Sequence, residues 1–373
     1  MEAESAPLLV SLPDHLLALI VSEVRGKNGL RATCRSLRLA VNACTSALRL
    51  TTPSAKGAWL TAPLPAVLTT ACPGIRLLDC SGRRGDKPKV RFNLTSCPRS
   101  VQTLLCSFTQ VRRLRPLATC TLLQTLDCSH TEVVALGPLS ACTMLRSLNC
   151  SYTPVAELGP LSACMMLQTL NCSTTKVSGL LPLSACTLLQ NLDCGGCIRV
   201  TDLGPLSACL RLQSLDCSRC QVSNLGPLSA CSMLQTLNCS RCRQVVLLGP
   251  LAACSELHSL SCSRTWVADL TPLSGCMMLQ SLDCSNCRQL SDLGPLSSCT
   301  VLQTLNCSQT QVVDLNSLAA CTALVALECD ERVPLDQVQR LQAASGSVEV
   351  SQHVCGHRVH KVVHPALHPA GTA

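Results

Sequence analysis

The chain has 373 residues, of which 47% are apolar and 14% are charged, and it contains only two Phe, two Trp and one Tyr. A chain of this length usually forms two or three compact domains or one long repeat array. With so few aromatic rings, its core must consist of Leu, Val, Ala and Cys. The net charge of +8 is modest for this length, so it does not predict nucleic-acid binding.

The cysteine count and the first residues indicate a reducing compartment. The 31 cysteines are an odd number, and Glu2, Glu4 and Asp14 lie where a secretory signal carries positive charge. The apolar run from Leu16 to Val21 is too short to cross a membrane. We therefore expect a cytoplasmic or nuclear protein with reduced thiols and no membrane partner.

Residues 1–50 have a helical pattern that the rest of the chain lacks. Ser11, Pro13 and Asp14 are helix-start signals, and the apolar positions that follow them predict one short helix. A Gly-containing break at residues 25–29 leads to a second helical pattern. Such short helices bury little surface by themselves, so they must dock on the first repeat or on another protein.

Two stretches of this segment, LPDHLLALIVSEV at residues 12–24 and TCRSLRLAVN at residues 33–42, resemble the first and later helices of an F-box. The resemblance implies that residues 1–50 hold the adaptor of an SCF-type ubiquitin ligase. The residues implied to bind this adaptor are Leu12, Pro13, Leu16, Leu17, Ile20, Cys34, Arg35 and Arg38. The alternative is that the segment only caps the exposed end of a repeat array.

The rest of the chain repeats every 22 or 23 residues with the pattern L-x-x-L-x-C-S-x-[TC]-x-V-x-x-L-x-P-L-x-x-C. Two cysteine ladders result, one from Cys80 to Cys329 and one from Cys72 to Cys321. Each repeat contains a short alternating strand, a turn and a Pro-interrupted segment that cannot form a long helix. Because one repeat buries too little surface alone, the repeats must stack into a parallel solenoid, with Cys as a small hydrophobe in its core.

The segment LQTLNCSQTQVVDLNSLAACTAL, residues 302–324, resembles the leucine-rich repeat in the 22-residue version of the internalins and of phosphatase-regulating repeat proteins. This resemblance implies an α/β solenoid of about twelve repeats over residues 51–330, irregular before residue 100, with parallel strands on its concave face. Cys stands where the family has two of its leucines, and Thr or Cys stands where it has Asn. The implied function is protein binding without a cofactor.

After the last repeat, residues 331–350 are typical of a closing cap. The pattern predicts a helix from Leu335 to Ala344, a turn at Gly346 and a final strand. We interpret residues 351–373 as a flexible tail rich in His and Pro. Pro365 and Pro369 break any helix that would align its imidazoles for metal binding.

The position two residues after the strand cysteine varies from repeat to repeat, which makes it the informative one for binding. Arg is found there in three successive repeats, and Arg and Trp are enriched at interaction hot spots. The sequence thus predicts a concave patch for an acidic or phosphorylated protein partner, formed by Tyr152, Arg219, Arg241, Arg264 and Trp266. The alternative is that Asp193 and Asp216 neutralise part of this charge and that water solvates the rest.

Two C-x-x-C units 18 residues apart, Cys217/Cys220 and Cys239/Cys242, have the spacing of a four-thiolate zinc site. They are also equivalent rungs of the repeat, and extended chain separates the two kinds of rung by up to about 10 Å. One tetrahedral ion cannot gather four thiolates so placed without bending the strands. We therefore expect no metal.

The sequence contains no P-loop, no H-E-x-x-H and no nucleophile elbow, and thiols buried among leucines are poor nucleophiles. We expect a protein that is not an enzyme and has no catalytic residues. The leading interpretation is a protein-binding module that recruits substrates to an SCF-type ubiquitin ligase. The alternative is a stand-alone leucine-rich-repeat scaffold or phosphatase regulator without a ligase link.

Overall fold

The computed structural model describes residues 75–82, 97–345 and 348–353, together with strands at residues 10–11, 47–49 and 360–363. Clustering of backbone contacts separates two compact units, Met1–Leu189 and Gln190–Ala373. Both stretches of the F-box resemblance, residues 12–24 and 33–42, lie outside the described residues.

Parallel strands form the sheet of the first unit, and each pairs with the next strand along the chain from β1 to β7. The central leucines are in register, with Leu104 opposite Leu126 and Leu126 opposite Leu148. The strands are β1 (Val10–Ser11), β2 (Ala47–Arg49), β3 (Leu77–Asp79), β4 (Thr103–Leu105), β5 (Thr125–Asp127), β6 (Ser147–Asn149) and β7 (Thr169–Asn171).

The second unit repeats this arrangement, with parallel pairing from β8 to β15. Its strands are β8 (Asn191–Asp193), β9 (Ser214–Asp216), β10 (Thr236–Asn238), β11 (Ser259–Ser261), β12 (Ser281–Asp283), β13 (Thr304–Asn306), β14 (Ala326–Asp330), β15 (Glu349–His353) and β16 (His360–Val363). The predicted parallel repeat solenoid is therefore confirmed.

The part of each repeat before the second cysteine forms a 3-10 helix of five residues, with Pro in its first turn in all of the described repeats except the last. Pro fits the first turn because that position needs no N–H, and the helix ends where the following cysteine leaves helical geometry. In the first unit these helices are Arg115–Thr119, Gly137–Ala141, Gly159–Ala163 and Leu181–Ala185. In the second unit they are Gly204–Ala208, Gly226–Ala230, Gly249–Ala253, Thr271–Gly275, Gly294–Ser298 and Asn316–Ala320.

The cysteine after each 3-10 helix is buried, and most of these thiols also bond to the preceding repeat. The Cys142 thiol lies 3.4 Å from the Leu117 carbonyl oxygen, and the Cys164 thiol lies 3.4 Å from the Leu139 carbonyl oxygen. Each thiol donates a weak hydrogen bond to this carbonyl. A leucine side chain at the same position could not, because it has no donor. Cys therefore combines the apolar character predicted from the sequence with a bonding role that the sequence did not indicate.

Short polar side chains satisfy the turn that follows each strand. The Asp127 carboxylate accepts a hydrogen bond from the Ser129 N–H at 2.9 Å, as Asx turns do. Two residues later, the buried Thr131 hydroxyl donates to the Cys128 carbonyl at 2.6 Å. Both contacts recur in other repeats, so the turn keeps one geometry without the asparagine typical of the leucine-rich repeat.

After the last repeat, the predicted helix is present as α1, Leu335–Ser345, and β15 follows it as the predicted final strand. Beyond residue 350, β16 pairs antiparallel with β15 in the segment interpreted as a flexible tail. Over the described ranges α1 is the sole α-helix, so each repeat is a strand and a 3-10 helix. None of the helices described is long and apolar enough to cross a bilayer.

Because of the buried thiols in the two cysteine ladders, we expect the folded protein to be less stable at alkaline pH. Burial raises the pKa of Cys164, Cys209 and Cys231 from 9.0 to about 11. Between these pH values the folded chain keeps the proton and the unfolded chain loses it, so stability present below pH 9 falls as pH rises toward 11. We expect the urea midpoint under reducing conditions to be constant from about pH 6 to 8 and lower at about pH 10.

A variant with Cys209→Ala and Cys231→Ala serves as the matched control for this titration. It lacks two of the titrating thiols, each of which contributes up to about 1.4 kcal/mol per pH unit, so its midpoint should fall less with pH. An equal fall in both proteins would show that other groups cause the alkaline instability.

Candidate functional site

The position two residues after the strand cysteine forms one row in each unit, which we call the turn row. Nearly all its members lie in the left-handed backbone region, where only Gly and, to a lesser degree, Asn are at ease. The first unit contributes Phe108, His130, Tyr152 and Thr174, and the second contributes Gly196, Arg219, Arg241, Arg264, Asn286 and Gln309. The turn fixes this conformation whichever side chain stands there.

Backbone hydrogen bonds align the turn row from one repeat to the next. The Arg219 N–H donates to the Ser240 carbonyl at 2.8 Å, and the Arg241 N–H donates to the Ser263 carbonyl at 2.7 Å. Successive members are therefore about one strand spacing apart, roughly 4.8 Å. Two unit charges at that distance repel by about 0.9 kcal/mol in water.

Arg219, Arg241 and Arg264 are exposed, as the predicted patch requires. No carboxylate among the described residues lies within ion-pair distance of these guanidinium groups. We call these three residues the arginine row. Its positive charge is thus available to a partner.

The nearby carboxylates are bonded to other groups. Asp216 accepts hydrogen bonds from the Ser218 N–H at 2.8 Å and from the Asn238 amide at 2.8 Å. Asp283 accepts from the Ser285 N–H at 3.0 Å and from the Ser261 hydroxyl at 3.2 Å. These bonds hold the carboxylates on the strand face, where they lower the local potential without pairing with the arginine row.

Trp266 lies on the same turn as Arg264, as the sequence predicted, and is 51% exposed. The backbone N–H of Trp266 donates to the Val245 carbonyl at 3.0 Å, and the preceding Thr265 hydroxyl donates to the Cys262 carbonyl at 2.6 Å. The turn thus holds the backbone of this exposed aromatic residue in place. An exposed indole beside arginines is a common arrangement at protein interfaces.

Two further exposed arginines directly follow a buried cysteine of these turns and were missed by the sequence analysis. Arg243 follows the buried Cys242, and Arg288 follows the buried Cys287. Both turns belong to repeats with a twenty-third residue, which places the arginine outside the repeating pattern. The extra residue was the signal that could have identified them.

Tyr152 belongs to the first unit, whereas the arginine row belongs to the second. There its ring stacks on His130 with centroids 4.3 Å apart, and His130 stacks on Phe108 at 4.2 Å. The ring planes differ by 11° in both pairs. Of the residues of the predicted patch, Tyr152 is thus part of an aromatic stack in the first unit, and the arginine row and Trp266 lie in the second.

The C-x-x-C units are part of the core. Cys217, Cys220, Cys239 and Cys242 are all buried, and the Cys242 thiol donates to the Cys217 carbonyl at 3.0 Å. The Cys220 thiol likewise contacts the Cys194 carbonyl at 3.3 Å. Over the described ranges, no three His, Cys, Asp or Glu side chains are placed to hold a metal ion.

The adaptor-binding residues implied by the F-box resemblance lie outside the described residues. They are Leu12, Pro13, Leu16, Leu17, Ile20, Cys34, Arg35 and Arg38. Their predicted role therefore remains a prediction.

Comparison with known proteins identifies the repeat. Residues 278–320 match the family described as Leucine Rich repeats (2 copies). No curated protein sequence is similar enough to the chain to count as a match.

Solved structures share the fold at low sequence identity. An internalin, InlF, from Listeria monocytogenes superposes with a TM-score of 0.63 at 22% identity, covering 69% of this chain and 76% of its own. A leucine-rich-repeat protein of Leptospira interrogans gives 0.67 at 14%, covering 82% and 83%. The plant peptide hormone receptor RGFR1, in complex with RGF2, gives 0.53 at 17%, covering 70% and 48%. The chain therefore has the leucine-rich-repeat fold, which generally serves as a binding scaffold.

The arginines of the row occupy a left-handed backbone conformation that suits Asn better. We therefore expect that replacing one of them by Asn makes the fold more stable, although it removes a charge from the row. Arg241 has φ of 63°, a conformation that Asn adopts more readily at Asn286 in the same row. We expect Arg241→Asn to raise the free energy of unfolding by about 0.5–1 kcal/mol, through less backbone strain and less charge repulsion. Urea unfolding at neutral pH measures this change.

Arg243→Asn is the matched control, because Arg243 is exposed on the same turn without a left-handed backbone. It should change stability by no more than about 0.5 kcal/mol. Equal stabilisation by both substitutions would mean that charge alone, and not backbone strain, sets the effect.

Proposed function

We propose that the chain is a non-enzymatic protein-binding module whose arginine row binds an extended, acidic or phosphorylated segment of a partner. The observation that carries this proposal is the row itself: three exposed guanidinium groups on adjacent rungs, without a carboxylate of the described residues in ion-pair distance. Guanidinium groups bind carboxylates and phosphates through paired hydrogen bonds.

The position of the row also supports an extended ligand. Its members lie at the ends of β9, β10 and β11, so one segment crossing these strands can reach all three side chains. Trp266 adds apolar area beside the charges, and the aromatic ring of an exposed Trp loses little conformational entropy on binding. The leucine-rich-repeat fold is consistent with this role, since such repeats present extended binding surfaces.

Reversal of the row tests the proposal directly. The probes are a fluorescein-labelled decapeptide of Glu and Gly and the same peptide with one phosphoserine, measured by fluorescence anisotropy on the intact chain. We expect both to bind at low salt and to bind at least about tenfold more weakly after Arg219→Glu, Arg241→Glu and Arg264→Glu. Added salt should weaken the wild-type complex.

A second triple variant separates the row from overall charge. Arg113→Glu, Arg115→Glu and Arg146→Glu change three exposed arginines of the first unit and alter net charge by the same amount. This variant should bind the probes as the wild-type chain does. An equal loss in both variants would contradict a specific row, as would unchanged binding in the first.

We further propose that residues 1–50 link this binding surface to an SCF-type ubiquitin ligase, making the chain a substrate-recognition adaptor. The F-box resemblance supports this link, with Pro13 and Leu16 among the residues implied to contact the SCF adaptor. In that arrangement the repeats hold the substrate while an enzyme elsewhere in the complex modifies it.

The link predicts that the intact chain retains purified SCF adaptor on a column and that Pro13→Ala with Leu16→Ala abolishes retention. Leu247→Ala, at an exposed leucine of the repeats, is the control that should retain it. If the wild-type chain does not retain the adaptor, the chain is a stand-alone leucine-rich-repeat scaffold or phosphatase regulator, with residues 1–50 as a cap.

A further inference from the structure

The aromatic stack of the first unit ends at Tyr152 with one ring face uncovered. His130 covers one face, and no ring of the described residues contacts the other. The next member of the turn row is Thr174, whose rung adjoins Tyr152 because the Tyr152 N–H donates to the Ser173 carbonyl at 2.9 Å. Thr174 is exposed and too small to cover a phenol ring. Tyr152 itself is 54% exposed.

The backbone conformation of Thr174, the residue next to the uncovered face of Tyr152, is energetically unfavourable. Thr174 has φ of 54°, and a β-branched residue in this region is a conformational outlier. Rings in the stack repeat every 4.2 to 4.3 Å, so the space over Thr174 has the depth of one further planar group. We call this space the Tyr152 slot.

Amide donors end the two strands that lead into the Tyr152 and Thr174 turns. The Asn149 side-chain oxygen accepts hydrogen bonds from the N–H and the hydroxyl of Ser151, at 3.1 and 2.8 Å. Asn171 does the same with Ser173, at 3.0 and 2.7 Å. Because both oxygens are engaged, the free capacity of each side chain is its NH₂ group, which is a donor only.

The equivalent amides of the second unit are already bonded. Asn238 donates to Asp216 at 2.8 Å, and Asn306 donates to Glu328 at 2.7 Å. Neither Asn149 nor Asn171 has such a bond to a described residue, and both are half-buried. The Tyr152 slot therefore offers an electron-rich ring face, and a hydrogen-bond donor lies three residues before each of its two turn-row residues, Tyr152 and Thr174.

This chemistry selects among planar ligands. A guanidinium or ammonium group would stack on the ring, but the positive ends of the two amide NH₂ dipoles disfavour a cation next to them. An aromatic side chain in an extended peptide supplies both requirements, since its ring stacks and the neighbouring backbone carbonyls accept hydrogen bonds.

We propose that the Tyr152 slot binds an aromatic side chain of an extended segment of a partner protein, whose backbone carbonyls accept hydrogen bonds from Asn149 and Asn171. This inference rests on the proposed role in protein binding but not on the arginine row, so either site can fail without the other. The slot gives the first unit its own specificity, for rings instead of negative charge.

The experiment uses the fact that Tyr152 is the only tyrosine of the chain. Incorporation of 3-fluorotyrosine into the full chain therefore gives a single ¹⁹F resonance at the slot. The probe is N-acetyltryptophanamide, which has a ring, two carbonyl acceptors and no charge. We expect a saturable shift with a dissociation constant in the millimolar range, as for a small fragment.

Four other small molecules identify the ligand class. N-acetylleucinamide, which has the same backbone without a ring, and N-acetylargininamide should cause little shift. Binding of uridine monophosphate or methyl glucoside as tight as that of N-acetyltryptophanamide would overturn the proposal in favour of a base or a sugar. A shift as large with N-acetylleucinamide, or no shift with any probe, would also overturn it.

Substitutions already present in sibling repeats test the donors. Asn149→Asp with Asn171→Asp keeps the oxygen that caps the turn, as Asp127 does at 2.9 Å from the Ser129 nitrogen, but removes both NH₂ groups. We expect binding of N-acetyltryptophanamide to weaken about tenfold and N-acetylargininamide to become a ligand. Unchanged preference would refute the role of the amides.

A second pair of variants tests the slot itself. Thr174→Phe places a ring over Tyr152, so it should shift the ¹⁹F resonance without ligand and abolish binding, whereas Thr174→Asn should leave the slot open. Reversal of Arg219, Arg241 and Arg264 to Glu should not affect N-acetyltryptophanamide binding, which separates this test from that of the arginine row. Tight binding in Thr174→Phe would place the ligand elsewhere.

Discussion

The structure depends on hydrogen bonds between neighbouring repeats. A single repeat has a three-residue strand, a turn and one 3-10 helix, and each leaves polar groups that the repeat cannot satisfy. The next repeat supplies the partners: strand to strand, turn N–H to serine carbonyl, and cysteine thiol to leucine carbonyl. Because each bond requires the same register, every repeat must adopt nearly the geometry of its neighbour.

This constraint explains why a costly backbone conformation persists in the turn row. The turn after each strand must close with a left-handed residue so that its N–H reaches the neighbouring serine carbonyl. Gly or Asn would suit every such position, and Gly196 and Asn286 are examples. Arg, Gln, aromatic and Thr residues stand at the others, where they stabilise the fold less, and their presence is consistent with a role in recognition.

The same constraint accounts for the abundance of cysteine. A leucine fills the core at these positions in other leucine-rich repeats, but the thiol of Cys164 or Cys231 also reaches a carbonyl of the preceding repeat. Where Cys replaces Thr in the turn, its thiol bonds to the preceding repeat, as Cys242 does, whereas the Thr265 hydroxyl bonds within its own repeat. A spacing that resembles a zinc site thus follows from two structural positions of the repeat.

The repeat, its period, the parallel stacking and the buried cysteine ladders could be predicted from the sequence, because each follows from a local pattern repeated many times. The terminal helix near residue 335 could also be predicted, from its own helical pattern. The sequence also placed the three arginines in one row, since equivalent positions of a repeat become neighbours. The packing of neighbouring repeats was needed to show that the Asp216 and Asp283 carboxylates bond elsewhere, that Tyr152 ends an aromatic stack, and that the Asn149 and Asn171 amides keep a donor. The choice among such side-chain partners depends on distances of a few tenths of an ångström between repeats, and the sequence pattern is identical for either choice.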